Sequence, residues 1–204
     1  MGTMTSSQLG KFAKLAGQKE VTSERAQLLY GSGLQADLFE VEDPSTIDRD
    51  AFRKFLGLSP LEFLSIVDFD QTLPEMIAAA DFDSVNSNIT SERFPVVGSG
   101  KKNFRFKIYK PKRFISSEAA DEMMRKDGFL AARHESGLAF ARDFPNEQRK
   151  RPIALLGSSA KVSRDRCVSC LRWSGAERDL DLRYWQVGWG GGWGFLGAQE
   201  VSGT

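Results

Sequence analysis

The chain has 204 residues, enough for one domain of ordinary size and a small additional segment. Its formal net charge is +1, so no overall field draws it towards nucleic acid or an anionic membrane. No run of about 20 apolar residues could span a bilayer, and residues 1–17 lack the apolar segment of a secretory signal. The sequence does not indicate where in or outside the cell the protein acts.

The first 60 residues are predicted to form short helices, at 6–17, 22–31, 34–40 and 48–57. Three of these segments begin with serine, threonine or aspartate, and the same three end with glycine. Each helix is too short to be stable in isolation. We expect this N-terminal helical segment, residues 1–60, to be either an arm that binds a partner or a cap on the following domain.

A larger domain is predicted over residues 61–204. β-Branched and aromatic residues predict a strand at 63–69, and Pro74 and Glu75 favour a helix at 73–80. Residues 82–95 are predicted to be a loop. The elements predicted after it are a strand at 104–109, helices at 117–125 and 131–144, a short buried strand at 152–157, brief strands around 168–171 and 180–182, and a final strand at 193–201. This order predicts an α+β fold.

A basic segment at 101–113 holds seven lysines and arginines and several aromatic residues. Such a strand could bind single-stranded nucleic acid. However, Phe104 and Phe106 alternate with Arg105 and Lys107, so the aromatic rings are expected to point into the core. A solvated strand face is therefore favoured, and nucleic acid is an unlikely partner.

Catalytic and metal-binding patterns are weak. His134, the one histidine, is predicted in a helix without a partner serine or cysteine motif. Cys167 and Cys170 form a CxxC pair, but it falls in a predicted strand and lacks two further zinc ligands. We predict no catalytic residue, no metal site and no cofactor.

Residues 166–196 have an unusual composition. All four tryptophans, both cysteines and six of the nineteen glycines lie in this segment. Tryptophan supplies large contact area at low entropic cost, which is typical of binding surfaces. The apolar residues of this segment are widely spaced, and the residues between them have unrelated side-chain chemistry. This pattern indicates a fixed apolar frame that carries a variable surface.

The frame in this segment is Arg166-x-Val168-x-x-Leu171, Arg178-x-Leu180-x-Leu182 and Gly188-Trp189-x-x-x-x-Gly194-Phe195-Leu196. It resembles the variable proteins of diversity-generating retroelements, as do the upstream segments 48–57, 85–90, 144–145 and 152–158. The resemblance implies a C-type-lectin-like fold. In that fold the first and last strands pair, here 104–109 with 195–201, two helices flank the sheet, and the C-terminal region displays the ligand surface.

The resemblance also implies a hypervariable region at about 166–196, in which miscopied asparagine codons become many other residues. Trp173, Glu177 and Gln186 are not reachable in this way and would be fixed or encoded otherwise. The implied partner is an unknown protein or surface ligand. The implied frame residues are Val168, Leu171, Leu180, Leu182, Trp189 and Phe195. The implied ligand-binding residues are Cys167, Cys170, Arg172, Trp173, Ser174, Ala176, Asp179, Asp181, Arg183, Tyr184, Trp185 and Val187.

An alternative function on the same fold is enzymatic. The fold also resembles that of formylglycine-generating oxidases, which need a reactive cysteine, and Cys167 or Cys170 would have to serve. The display function and the oxidase function make opposite demands on these thiols, because only the oxidase needs a reactive thiolate.

Overall fold

Five helices and eight strands make up the part of the chain that the computed structural model describes, residues 22–33, 37, 40–42, 52 and 63–201. The helices are α1 (Ser23–Gly31), α2 (Leu73–Ala80), α3 (Ser117–Lys126), α4 (His134–Asp143) and α5 (Glu147–Lys150). The strands are β1 (Phe63–Asp68), β2 (Ser84–Val85), β3 (Lys101–Tyr109), β4 (Leu130–Ala131), β5 (Ile153–Val162), β6 (Asp165–Ser174), β7 (Glu177–Tyr184) and β8 (Gly194–Val201). The predicted α+β class is confirmed.

The chain divides into two units, Met1–Pro60 and Leu61–Thr204. In the first unit, α1 confirms the helix predicted at 22–31. The other helices predicted there, at 6–17, 34–40 and 48–57, lie outside the described residues for most of their length. In the described part of the chain, no helix is long and apolar enough to cross a membrane.

The second unit is built on one mixed sheet with the strand order β1-β3-β8-β5-β6-β7-β2, and β4 also pairs with β8. Strand β3 runs antiparallel to β8, with Phe106 opposite Ala198. The predicted pairing of a strand at 104–109 with the final strand is therefore confirmed. Strand β1 extends the sheet beyond β3, with Phe63 opposite Phe106.

The two faces of the sheet are covered by different helices. Helices α2 and α4 supply Met76, Leu138 and Phe140 to a core that includes Phe106 and Leu180. Helix α3 supplies Ala120 and Met124 to a second cluster on the opposite face. Residues alternate between the faces because successive side chains of a strand point to opposite sides, as Leu155 and Leu156 do here.

Helix starts follow local sequence signals closely. The Thr72 hydroxyl accepts a hydrogen bond from the Glu75 N–H, and the Glu75 carboxylate accepts one from the Thr72 N–H at 2.7 Å, which closes a capping box. Ser116 caps α3 through the Ala119 N–H. These bonds satisfy N–H groups that have no partner inside the helix.

Three predicted boundaries are corrected by tertiary pairing. The helix predicted from residue 131 begins at His134, because Leu130 and Ala131 pair with β8. The predicted loop at 82–95 contains β2, which pairs in parallel with β7. Strand β5 continues to Val162, well past the predicted end at 157, because it pairs with β6.

Arg178 on β7 ties two helix ends to the sheet. Its guanidinium donates to the carbonyl oxygens of Ala80 at 2.7 Å, Asp81 at 2.9 Å and Ala141 at 2.9 Å. These are carbonyls at the C-terminal ends of α2 and α4, which a cation stabilises. Arg178 therefore joins the frame of the sheet to both helices.

We expect Arg178→Lys to lower the free energy of unfolding by about 1–2 kcal/mol, because lysine keeps the charge but cannot reach all three carbonyls. Urea unfolding monitored by tryptophan fluorescence measures the change. Arg183→Lys on the same strand is the control and should change it by less than about 0.5 kcal/mol. An equal decrease in the free energy of unfolding in both variants would show that the carbonyl contacts of Arg178 do not stabilise the fold.

Candidate ligand-binding surface

The register of β6 and β7 sorts their residues into two faces. The strands are antiparallel, with Cys170 opposite Asp181 and Arg172 opposite Asp179. Directly opposed residues share a face, and the face alternates along each strand. One face, here called the β6–β7 outer face, therefore carries Val168, Cys170, Arg172, Ser174, Glu177, Asp179, Asp181 and Arg183.

Apart from the buried Val168 and Cys170, the β6–β7 outer face is charged and accessible to solvent. Ser174, Glu177 and Arg183 are exposed, and Arg172, Asp179 and Asp181 are half-buried. Arg172 donates to Asp181, with 2.6 Å between the guanidinium Nη1 and the carboxylate Oδ2. Positive and negative groups therefore alternate across this face. Such mixed polarity suits a polar partner better than an apolar one.

Asp181 is held in its charged form. Burial opposes ionisation, but hydrogen bonds from the Asn86 amide, the Leu182 N–H and Arg172 outweigh it and hold the pKa of Asp181 below its ordinary value. The Asn86 Nδ2 lies 2.9 Å from the Asp181 Oδ1. The loop that carries β2 thus fixes one carboxylate of the outer face.

The opposite face of β6 and β7 is packed. Leu171 and Leu180 are buried in the core beneath α2 and α4, and Leu182 packs against it partly buried. The remaining predicted frame residues are fully buried in the cluster beneath α3: Val168, which lies on the outer-face side of β6, and Trp189 and Phe195. All six residues assigned to the frame thus lie in or against a core, which is the burial that a frame needs.

Trp173 and Tyr184 fall on the packed side of the register, at its margins. Trp173 donates from its indole N–H to the Gly175 carbonyl at 2.9 Å, and its ring centre lies 4.5 Å from the Arg149 guanidinium carbon. Tyr184 is 51% exposed. The two side chains therefore border the strands on the side away from the outer face. Ala176 is exposed in the turn between β6 and β7, where Gly175 adopts a positive φ of 62°.

The glycine-rich loop 185–193 is anchored by Ser117 on α3. The Ser117 hydroxyl donates to the Trp185 carbonyl and accepts from the Trp189 indole N–H, both at 2.8 Å. Trp185 is held further by the Arg166 guanidinium, 3.7 Å from its ring centre, and by a bond to Glu118. Val187 remains 41% exposed.

Gly188 lets this loop approach the preceding segment. A Cβ at this position would lie 2.0 Å from the Phe114 ring, so a side chain there would displace the loop or Phe114. The contacts of Ser117 and Phe114 with this loop were not predicted from the sequence. Their distance along the chain from the loop left no local signal for them.

Both cysteines are buried, at 2% exposure for Cys167 and 1% for Cys170. The expectation that they face a ligand is therefore wrong, because side chains with so little exposure cannot contact a ligand at the surface. Their side chains point to opposite faces of β6, as residues three apart in a strand must. Burial raises the pKa of both thiols, that of Cys170 to about 12.

We expect both thiols to react slowly in the folded protein. Ellman's reagent at about pH 8 should modify them at least roughly a hundred times more slowly than in the urea-unfolded chain, since attack requires an exposed thiolate. A fast phase in the native protein would show that one thiol is accessible. Cys167→Ser and Cys170→Ser then identify which one.

Part of the positive charge of the basic strand is paired within the protein. Phe106 is fully buried and Phe104 packs against the same core, as predicted. On the other face, Lys107 pairs with Asp127, and Lys101 lies 3.4 Å from Asp68. These pairs reduce the positive field that nucleic acid would require.

His134 packs in the core as the first residue of α4. It is 1% exposed, its Nδ1 lies 2.7 Å from the Ser169 hydroxyl, and its ring stacks on Phe94. Burial lowers the pKa of His134 to about 4. Within the described ranges, no three His, Cys, Asp or Glu side chains are grouped closely enough to hold a metal ion.

No family model, no curated protein and no solved structure matches this chain.

Proposed function

We propose that this protein is a ligand-binding display protein whose β6–β7 outer face is diversified by a retroelement to recognise varied targets. The observation that carries this proposal is the division of β6 and β7 into two faces. Arg172, Ser174 and Asp179, with Asp181 and Arg183, project on the outer side, and the frame leucines point into the core.

Variation is tolerable only on such a face. Replacing a buried leucine costs several kcal/mol, whereas exposed positions usually change stability by less than about 0.5 kcal/mol. The five outer-face residues named above come from two adjacent strands, so they form one contiguous surface. Cys167 and Cys170 are left out of the proposed surface because of their burial, and Trp173 and Tyr184 because they lie on the other side of the strands. Trp185 would act at its margin.

A C-type-lectin-like fold is part of this proposal. Its support is the pairing of β3 with the final strand β8, the two helices α3 and α4 on opposite faces of the sheet, and the irregular loop 185–193 at the C-terminal end. The added edge strand β1 is a departure from the expected arrangement. A solved structure of the protein tests this assignment.

The proposed target is a protein or another polar surface ligand. The outer face alternates charges and offers hydrogen-bonding groups, and two of its residues, Arg172 and Arg183, are arginines. Aromatic and arginine side chains carry most of the energy in protein interfaces. Retroelement diversification would change the charges while the frame holds the backbone.

A saturation library displayed on yeast tests the tolerance that the function requires. We expect most substitutions at Arg172, Asp179 and Arg183 to leave display of folded protein unchanged. Most polar substitutions at Leu171 and Leu180 should abolish it, because they place a polar group in a packed core. Equal intolerance at outer-face and frame positions would rule out a surface built for variation.

The oxidase alternative has less support. An oxidase would need a thiol that is accessible and readily ionised. Burial raises the pKa of both Cys167 and Cys170, which is the opposite of activation. The labelling experiment above bears directly on this alternative, because a fast-reacting native thiol would favour it.

A further inference from the structure

A cleft of about 420 Å³ opens beside the N-terminus of α4, and it shares no residue with the β6–β7 outer face. Its size is within the range of small-molecule sites. The lining is mainly apolar, with Phe69, Phe104 and Leu130 among the side chains that form it. We call it the Phe69–Phe104 cleft.

The apolar walls of the cleft are built by close packing. The rings of Phe69 and Phe104 lie 6.1 Å apart at a tilt of 55°. Gly98 faces Phe69 so closely that a Cβ would lie 2.6 Å from the ring, and its φ of 141° favours glycine in any case. Leu130 forms part of the lining and is 61% exposed, so an apolar side chain is left open to solvent there.

Four charged side chains line the cleft. Lys102 and Glu200 pair with each other, with 3.1 Å between the ammonium nitrogen and the carboxylate. Glu135 has a buried side chain and accepts from the Val97 N–H at 3.2 Å and from the Arg133 Nε at 2.8 Å. The fourth charged side chain, Arg133, is 44% exposed.

The Arg133 guanidinium is held in one orientation, but only one of its nitrogens donates a hydrogen bond within the described protein. Glu135 occupies its Nε, and its two terminal NH₂ groups have no protein partner among the residues that the structure describes. A guanidinium fixed by a buried carboxylate is pre-organised to bind an anion with those terminal groups. Beside an apolar cavity, this arrangement suits a ligand with an apolar body and an anionic end.

The geometry points to the Phe69–Phe104 cleft as a binding site for a small amphipathic carboxylate, such as a medium-chain fatty acid or an aryl carboxylate. The apolar body packs on Phe69 and Phe104, and the carboxylate accepts hydrogen bonds from the terminal nitrogens of Arg133. This binding function is independent of the display function proposed for the outer face.

Displacement of 1-anilinonaphthalene-8-sulfonate, a fluorescent aromatic anion, tests the site on the full-length protein. We expect the dye to bind saturably at one site and octanoate to displace it. Octanol, which has the same chain without the charge, should compete at least roughly tenfold more weakly, because it cannot form the charge-assisted bonds to Arg133.

Two variants with matched controls assign the site. Arg133→Gln should weaken octanoate binding roughly tenfold and leave octanol unchanged. Arg125→Gln removes an arginine that is paired through its Nε with Asp121 on the solvent side of α3. It should change neither octanoate binding nor octanol binding. Leu130→Asp should weaken dye and octanoate binding together, whereas Ile66→Asp, at a similarly exposed apolar position outside the cleft, should not.

Thermal unfolding shows whether each variant is folded, and Leu130→Asp keeps the test informative if Arg133→Gln is not. The proposal is overturned if the dye does not bind saturably. It is also overturned if octanoate and octanol compete equally, or if both cleft variants bind as their controls do.

Discussion

Leu180→Ala should lower the free energy of unfolding by about 2–5 kcal/mol, whereas Asp179→Ala, one residue earlier, should change it by less than about 0.5 kcal/mol. Leu180 is 1% exposed in the core beneath α2 and α4. Its truncation removes buried apolar surface and leaves a cavity. Asp179 projects on the opposite face and is half-buried there.

Urea unfolding of the two variants and the unchanged protein measures this contrast directly. The pair is well matched, because both residues lie in the same strand and share its backbone bonds to β6. Comparable losses would mean that the outer face also holds the fold together. Free variation at positions such as Asp179 would then be impossible.

His134 should make the protein markedly less stable in acid. Burial lowers the pKa of His134 in the folded state to about 4, against an ordinary value of 6.5. The stabilising contribution of the neutral ring is therefore complete above pH 6.5 and is lost progressively as the pH falls towards 4. The expected loss between about pH 7.5 and pH 4 is about 3 kcal/mol.

His134→Asn isolates this contribution, because asparagine does not titrate and its amide group takes the position of Nδ1, so it can still bond to the Ser169 hydroxyl. Carboxylates such as Asp143 and Asp181, whose pKa values are lowered in the folded state, also cost stability as the pH falls. They do so in both proteins. The difference between the two urea-unfolding curves should thus shrink by about 3 kcal/mol at low pH. A constant difference would show that His134 does not titrate with folding.

Much of the fold follows from local sequence signals. Alternation at Phe104 and Phe106 predicts β3 and its buried side, and Pro74 and Glu75 predict α2. The final strand and its pairing with β3 followed from the family resemblance and are confirmed. These features are determined by nearest neighbours or by a pattern that recurs along the chain.

The errors arose where distant segments decide the outcome. Leu130 and Ala131 are a strand only because β8 lies beside them, and β2 exists only because β7 does. Cys167 and Cys170 stand in a segment whose neighbours look variable, yet both side chains are buried in the folded chain. Burial of this kind is a tertiary property that a linear pattern does not contain.

The candidate surface was predicted in part. The frame leucines alternate with polar residues from 179 to 183, and the structure places these polar residues on one face. The support for that face was invisible in the sequence. Arg178 binds carbonyls almost a hundred residues earlier, and Ser117 holds the loop 185–193 from α3.

The most direct test of the proposed function is sequencing of the gene's 3′ end and its flanking DNA across a natural population. The proposal predicts substitutions concentrated in codons 166–196, at Arg172, Asp179 and Arg183 above all. The frame codons for Leu171 and Leu180 should stay constant. The substitutions should trace to adenines in a nearby repeat beside a reverse-transcriptase gene. A 3′ end as invariant as the rest of the gene, or variation that falls equally on the frame, would contradict it.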